Sequence, residues 1–337
     1  MEKKGQFDWS ILDDPTITNQ NAVPPHSDIV WYGSQEEWET GDSSLRLSLD
    51  GIWKFAYADR PEQIPVDFWE EASDNWANIN VPGHIQLQGY GKPQYVNYQY
   101  PWDGLQDVEE TGAPKSYNPV GCYHHSFRLP QNMCGKEIHL RFDGAENALA
   151  VWLNGVYVGY GTDGFTPTEF DVTPMIRPGE NKLSVLVFQW TAASHMECQD
   201  FFRFSGLFRS VWLTALPDTA VRDLTVTSDL EADFSAGTVR AELKVCGEGI
   251  LVARLIKGGT VLKEKRITIG PTKDALCFTV EHPALWSAET PELYELELSI
   301  LNKKEKLCQY GRQPFGFRRI EIKEGIVLLN CKRLVLR

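Results

Sequence analysis

From Leu45 onward, apolar and polar positions alternate in short runs separated by turn residues, the pattern of half-buried strands. Ser48–Phe55, His139–Asp143, Ala148–Leu153 and Leu183–Trp190 are such runs. Asn154-Gly155, between Val151-Trp-Leu and Val156-Tyr-Val-Gly, predicts a two-residue hairpin, because a type I′ turn needs positive φ twice. No segment carries a long 3.6-residue apolar period, so the chain is expected to be all-β. Residues 1–44 are irregular and polar, with Pro24-Pro25, and read as an arm lying over a domain or partly disordered.

A second unit begins near Thr219. Arg222–Ser228, Thr238–Val245, Ile250–Ile256 and Leu293–Ile300 alternate cleanly, with turns at Gly258-Gly259 and Asn302-Lys303-Lys304. This spacing predicts an immunoglobulin-like sandwich of about 100 residues, though without the spaced Cys pair of an antibody domain. Leu216-Pro217-Asp218 reads as the linker. The last residues, Gly325 to Arg337, are an apolar run, a turn candidate at Asn330-Cys331 and a second apolar run. They predict a β-hairpin that opens a further unit and is cut off. The expected division is an arm (1–44), a first sandwich (45–217), an immunoglobulin-like sandwich (218–322) and the start of a third domain (323–337).

The net charge of −13 argues against nucleic acid or an anionic membrane as partner and leaves neutral polar ligands open. No apolar stretch approaches the roughly 18 residues of a membrane span, and the N-terminus lacks the apolar core of a signal peptide. Seven scattered Cys fit reduced thiols, so a cytoplasmic location is expected. Eleven Trp and twelve Tyr suit β-sandwich cores and sugar-contacting surfaces equally.

Gly159-Tyr-Gly161-Thr-Asp-Gly164 matches the dinucleotide fingerprint by letter, but Phe165-Thr-Pro167 follows where a helix is needed, so a sandwich turn is predicted. His195, Glu197, Cys198 and Asp200 hold potential ligand atoms without zinc spacing; Asp200 alone suits a hard cation better. His124 and His125 are neighbours on a strand and face opposite sides, so they read as structural. No Asp/Glu pair is set apart as a glycosidase acid and nucleophile.

A run of motifs in order resembles the family 2 glycoside hydrolases, the β-galactosidases most closely: Leu49-Asp-Gly-Ile-Trp-Lys-Phe55, Val81-Pro-Gly-His-Ile-Gln-Leu-Gln-Gly-Tyr90, Asn118-Pro-Val-Gly-Cys-Tyr123, Trp152-Leu-Asn-Gly155, Asp200-Phe-Phe-Arg-Phe-Ser-Gly-Leu-Phe-Arg209 and Leu285-Trp-Ser-Ala-Glu-Thr-Pro-Glu-Leu-Tyr294. The resemblance runs from about Asp8 to Arg337. It implies a jelly-roll, sugar-binding-like domain, then an immunoglobulin-like domain, then a (β/α)₈ barrel that carries both catalytic glutamates and needs roughly 250 further residues. The chain would thus end in the first hairpin of an absent barrel and hold no catalytic residue.

The resemblance further implies that Asn118 and Asp200 contact a galactoside and that Asp200 ligates a sodium ion. An amide can donate to and accept from vicinal hydroxyls, and a carboxylate can take a sugar O–H and a cation together. Read without the resemblance, Asn118 is a pre-proline turn residue and Asp200 a loop ion pair with Arg203. For the intact enzyme Na⁺ and Mg²⁺ are implied, with none for this chain alone; partners are the β-galactoside, the barrel and a second copy in a homo-oligomer. Phe202 stands where the motif has Trp, and Ala192 and Thr162 stand where some members place ligands of a peripheral magnesium, so that site is not expected. Cys331 replaces a turn Gly, at a cost of about 1 kcal/mol if its φ is positive. The rival expectations are a β-glucuronidase or β-mannosidase of the same family, or a free-standing carbohydrate-binding or scaffold protein.

Overall fold

The computed structural model describes residues 7–335 apart from 66, 71, 73–74, 106–107, 109–111, 198 and 272. The chain forms two compact units, residues 1–25 with 46–215 and residues 26–45 with 216–337. The arm expected over 1–44 is therefore two pieces, divided after Pro25.

The strands of the first unit are β1 (Asn19–Gln20), β2 (Arg46–Ser48), β3 (Gly51–Ala58), β4 (Ala77–Val81), β5 (Tyr95–Val96), β6 (Val120–Leu129), β7 (Glu137–Phe142), β8 (Ala148–Leu153), β9 (Val156–Gly161), β10 (Thr168–Asp171), β11 (Gly179–Phe188), β12 (Phe201–Phe202) and β13 (Val211–Leu216). Among the described residues a large sheet runs β1-β9-β8-β11-β6-β3-β4, a smaller one β10-β7-β13-β2, and β5 pairs with β12. This is the expected sandwich. Trp53, Phe55, Tyr123, Val151, Val185, Phe142, Phe170 and Leu213 are in its core.

The large sheet is buried on its second face too. Val120, Cys122, Ala150, Trp152, Tyr160, Leu186 and Phe188 cluster there with Phe7, Ile11 and Leu12 of the N-terminal segment and with Phe68 and Trp76. Burial on both faces explains why Leu183 to Phe188 is almost continuously apolar instead of alternating. Phe7 is the keystone of this cover, with ring contacts to Trp152, Tyr157, Tyr160 and Phe188. Burying a side chain of that size stabilises by about 1.5–3 kcal/mol.

Asn154 and Gly155 both have positive φ, at 54° and 77°, and join β8 to β9 as expected. Gly159 to Gly164 leads from β9 toward β10 with no helix between them, so the dinucleotide reading stays excluded.

The second unit contains β14 (Ala220–Leu230), β15 (Ala236–Cys246), β16 (Gly249–Lys257), β17 (Thr260–Ile269), β18 (Lys273–Glu281), β19 (Tyr294–Asn302) and β20 (Leu307–Phe315). Sheets β14-β15-β18 and β17-β16-β19-β20 enclose Val239, Leu251, Leu255, Phe278, Leu296 and Leu298, an immunoglobulin-like sandwich. The 26–45 segment belongs to this unit because Ile29 and Trp31 pack on its core and Tyr32 exchanges two backbone hydrogen bonds with Tyr310, at 2.9 and 2.8 Å. It also holds an unexpected helix, α1 (Gln35–Thr40). Ser34 Oγ accepts from Glu37 N–H, and Glu37 reaches back to Gly33 N–H, a reciprocal N-terminal cap. Gly41 ends the helix in the left-handed conformation.

The terminal segment is a three-stranded meander, β21 (Ile320–Lys323), β22 (Ile326–Leu329) and β23 (Lys332–Arg333). It starts before residue 323, so the expected hairpin is its second half. Asn330 and Cys331 both have positive φ, at 49° and 63°. Among the described residues no helix is long and apolar enough to cross a membrane.

Candidate functional site

Asn118 sits just ahead of β6, whose ten residues pair with all ten of β11, ending Val120 against Phe188. The chain entering β6 therefore lies beside the chain leaving β11. Asn118 fastens them: its Nδ2 donates to Trp190 O at 2.9 Å, and its Oδ1 accepts from Trp190 N–H at 3.0 Å. Gln189 N–H donates to Pro119 O at 2.9 Å beside it. The Asn118 side chain is buried at 2% exposure, yet one amide hydrogen and one lone pair remain beyond those two bonds. Trp190 in turn meets Trp102 edge to face at 5.7 Å, and Trp102 meets His195 at 4.9 Å. His195 Nε2 lies 2.9 Å from Gly112 O, which gives that histidine a structural place.

Asp200 is exposed and lies between β11 and β12. β5 and β12 pair there, Tyr95 against Phe202. Tyr95 O–H donates to Asp200 Oδ1 at 2.5 Å. That bond raises the Tyr95 phenol above its ordinary value. Arg203, buried at 3% exposure, turns its guanidinium to the carbonyls of Glu197 and Gln199 and so braces the loop that carries Asp200. Among the described residues no hydrogen bond or ring contact joins Asn118 directly to Asp200. Cys198 lies outside the described residues.

Close to Arg203 are two further carboxylates: Glu197, weighed in the sequence only as a potential metal ligand, and Glu146, which sequence reading did not single out. Glu146 exchanges backbone hydrogen bonds with Gly206 at 3.1 and 2.9 Å, and its Oε2 lies 3.8 Å from His84 Nδ1. Burial pushes its carboxyl up to about 8; the charge of Arg203 opposes this and that of Glu197 adds to it. Burial likewise pushes Glu197 up to about 7, with the charge of Asp163 adding to the effect. Raised carboxyls mark a functional-site candidate; Glu146 is buried, at 3% exposure.

The metal expectations divide. Asp200 offers a hard cation one carboxylate; six to eight oxygens are the usual complement, so most ligands would lie beyond this residue. At the peripheral positions the fit fails: Ala192 has no donor, and the Thr162 hydroxyl donates to Thr18 O. Glu137, His139 and Asp171 bring ligand atoms within 4.8 Å of one another. Both ring nitrogens of His139 are engaged, by Glu169 at 2.6 Å and Glu137 at 2.8 Å, which makes this an ion cluster held by its own members. Burial opposes charge on His139, but these two carboxylates prevail and raise its pKa. His124 Nδ1 lies 3.0 Å from Ser184 Oγ, while His125 stacks on Trp53 at 4.7 Å, so the two histidines do face opposite sides.

Residues 46–217 match the family model described as glycosyl hydrolases family 2, sugar binding domain, and residues 219–318 match glycosyl hydrolases family 2. The chain is 41% identical over 345 residues to a β-galactosidase of Halalkalibacterium halodurans, covering 100% of this chain and 34% of that protein. It is 42% identical to a β-galactosidase of Lactobacillus delbrueckii subsp. bulgaricus (98% and 33% covered) and 37% identical to a β-galactosidase large subunit of Latilactobacillus sakei (96% and 54% covered). The chain thus spans about a third of the first two relatives and about half of the third. Among solved structures, a Bifidobacterium dentium β-glucuronidase complexed with coumarin-3-O-glucuronide superposes with a TM-score of 0.65 at 22% identity, over 87% of this chain and 52% of that one. A Ruminococcus gnavus β-glucuronidase gives 0.63 at 23%, over 88% and 49%. At that identity the likeness carries the fold alone.

Proposed function

The chain belongs to glycosyl hydrolases family 2, and on that premise we propose that it is the N-terminal, non-catalytic region of a retaining β-galactosidase. The observation that carries the reading is the 41% identity along the whole chain to a β-galactosidase. The β-glucuronidases are likened to it at only 22–23%.

A retaining glycosidase needs two carboxyls about 5–5.5 Å apart on either side of the glycosidic bond. In this reading that pair belongs to the portion of the enzyme that follows in the relatives, and this chain alone turns nothing over. What it contributes is binding. The Asp200 carboxylate accepts a galactose hydroxyl and offers an oxygen to a sodium ion. Asn118 presents its remaining amide hydrogen and lone pair to adjacent hydroxyls, at an orientation locked by Trp190. The Arg203 brace keeps Asp200 in place without a rearrangement at the moment of binding. The other partners in this reading are the rest of the enzyme and, when assembled, further copies, in the cytoplasm. The test is to join the chain to the part of the H. halodurans relative outside the match and compare β-galactoside with β-glucuronide hydrolysis.

A further inference from the structure

We propose that a cavity between the N-terminal segment and the stretch entering β6 is a binding site for a neutral hexopyranoside, with Trp9 as its platform and Glu62 as the residue that turns uronates away. The cavity holds about 500 Å³ and is lined by Trp9, Asp13, Glu62, Lys115 and Asn118, together with Pro114. That volume is in the range of small-ligand sites. The identity of the sugar rests on the β-galactosidase reading; the cavity and its lining do not.

The platform is fixed in advance. Residues Trp9–Asp13 form a short turn whose first N–H groups are capped by Asp8, which accepts from Ser10 N–H at 3.0 Å. The indole meets Phe7 at 5.0 Å and Phe188 at 6.0 Å, both nearly at right angles, so its plane is set by two buried rings. It nevertheless stays 41% exposed. An indole held rigidly and left open serves the C–H face of a pyranose, which buries apolar area without needing a polar partner. Asp13 ties the opposite wall to this one: its Oδ1 accepts from Ala113 N–H at 2.8 Å, and its Oδ2 pairs with the Lys115 ammonium. A site whose walls are tethered costs less to order on binding.

Charge selects among sugars. Asp13 and Lys115 neutralise each other, which leaves the exposed Glu62 as the uncompensated charge among the lining residues. A galactoside is indifferent to it, whereas a glucuronide brings a second carboxylate beside it.

The ¹⁵N-labelled chain decides the matter, read at the Trp9 indole N–H, assigned from Trp9→Phe, and at the backbone N–H groups of Ala113 and Lys115, which remain in the Trp9 variants. Methyl β-D-galactopyranoside is expected to move the Trp9 resonance saturably, in the millimolar range typical of a shallow site making few hydrogen bonds. Methyl β-D-glucuronide should bind about threefold more weakly, the effect of one exposed like charge, and Glu62→Lys should abolish that gap. Trp9→Ala should abolish binding, and Trp9→Phe, which keeps an aromatic ring, should weaken it less. No movement of the Trp9 resonance with either sugar in the wild-type chain would overturn the proposal, as would undiminished binding to a folded Trp9→Ala chain. A preference for the glucuronide would overturn its neutral-sugar part. β-Galactoside turnover by the joined enzyme alongside a silent Trp9 would sink this site and leave the functional reading standing.

Discussion

The side-chain amide of Asn118 is bonded twice to the main chain of Trp190, 72 residues away, giving to its carbonyl and taking from its N–H. A residue expected to reach for a sugar is thus first a clasp between the ends of two paired strands. Asn118→Ala leaves both Trp190 groups unpaired in a buried setting, where each such group costs about 1–3 kcal/mol. The expected loss in urea unfolding is about 2–4 kcal/mol; a loss below about 0.5 kcal/mol would show that the clasp is not needed. Activity lost in an enzyme carrying this substitution has to be compared at matched fractions folded.

Asp200 predicts the opposite division. Its carboxylate is exposed and accepts its hydrogen bond from the exposed Tyr95, so Asp200→Ala should leave unfolding of the chain within about 0.5 kcal/mol of wild type. In the joined enzyme the same substitution should lower kcat/KM by about 10²-fold, the effect of losing a charge-assisted hydrogen bond to an enclosed sugar. It should also remove activation by sodium. Kinetics with and without Na⁺ check this; wild-type values would reduce Asp200 to a loop residue.

Stability should fall as pH rises. Unfolded, Glu146 loses its proton near the ordinary 4.5; folded, it keeps it up to about 8. Between those values the folded state binds a proton that the unfolded state lacks, so this group's contribution is full below the unfolded pKa and declines toward pH 8. Glu197 acts with the same sign up to about 7. Glu146→Gln has no proton to lose, so it should flatten the decline and make the protein more stable than wild type at pH 8. Urea midpoints from pH 5 to pH 8 measure this. A wild-type slope in the variant would place the pH dependence elsewhere.

The small sheet β21–β23 exposes Ile320 at 58%, Ile322 at 72%, Ile326 at 41% and Val327 at 40%, with Val335 just beyond it at 65%. Contiguous apolar strand surface of this kind invites pairing with another chain. Ending the chain at Arg319 should shift it toward monomer in light scattering at high concentration. Identical scattering from both lengths would mean that the sheet does not associate.

What could be read in advance follows the range of the interactions. The turn at Asn154-Gly155 and the sandwich strands depend on neighbours in sequence, and they appear where the pattern places them. Helix α1 was within reach, since Ser34-x-x-Glu37 is a capping signature, but its six residues carry no apolar period to announce it. The division of the arm after Pro25 depends on Phe7 and Trp31 finding different cores, a choice that local composition does not record. The motifs containing Asn118 and Asp200 are visible in the chain, but their partners are not: Trp190 lies 72 residues on and Tyr95 105 residues back. The raised carboxyl of Glu146 comes from burial, and nothing in Gly144-Ala-Glu-Asn147 signals it.

The central claim is that this chain supplies binding surface to a β-galactosidase whose catalytic carboxyls lie elsewhere. Hydrolysis of a chromogenic β-galactoside is to be measured for the purified chain and for the chain joined to the remainder of the H. halodurans relative, with a β-glucuronide in parallel. The account predicts no turnover by the chain, turnover by the joined protein, and a preference for the galactoside that Asp200→Ala diminishes. Turnover by the chain alone, or a joined enzyme that prefers the glucuronide, would contradict it.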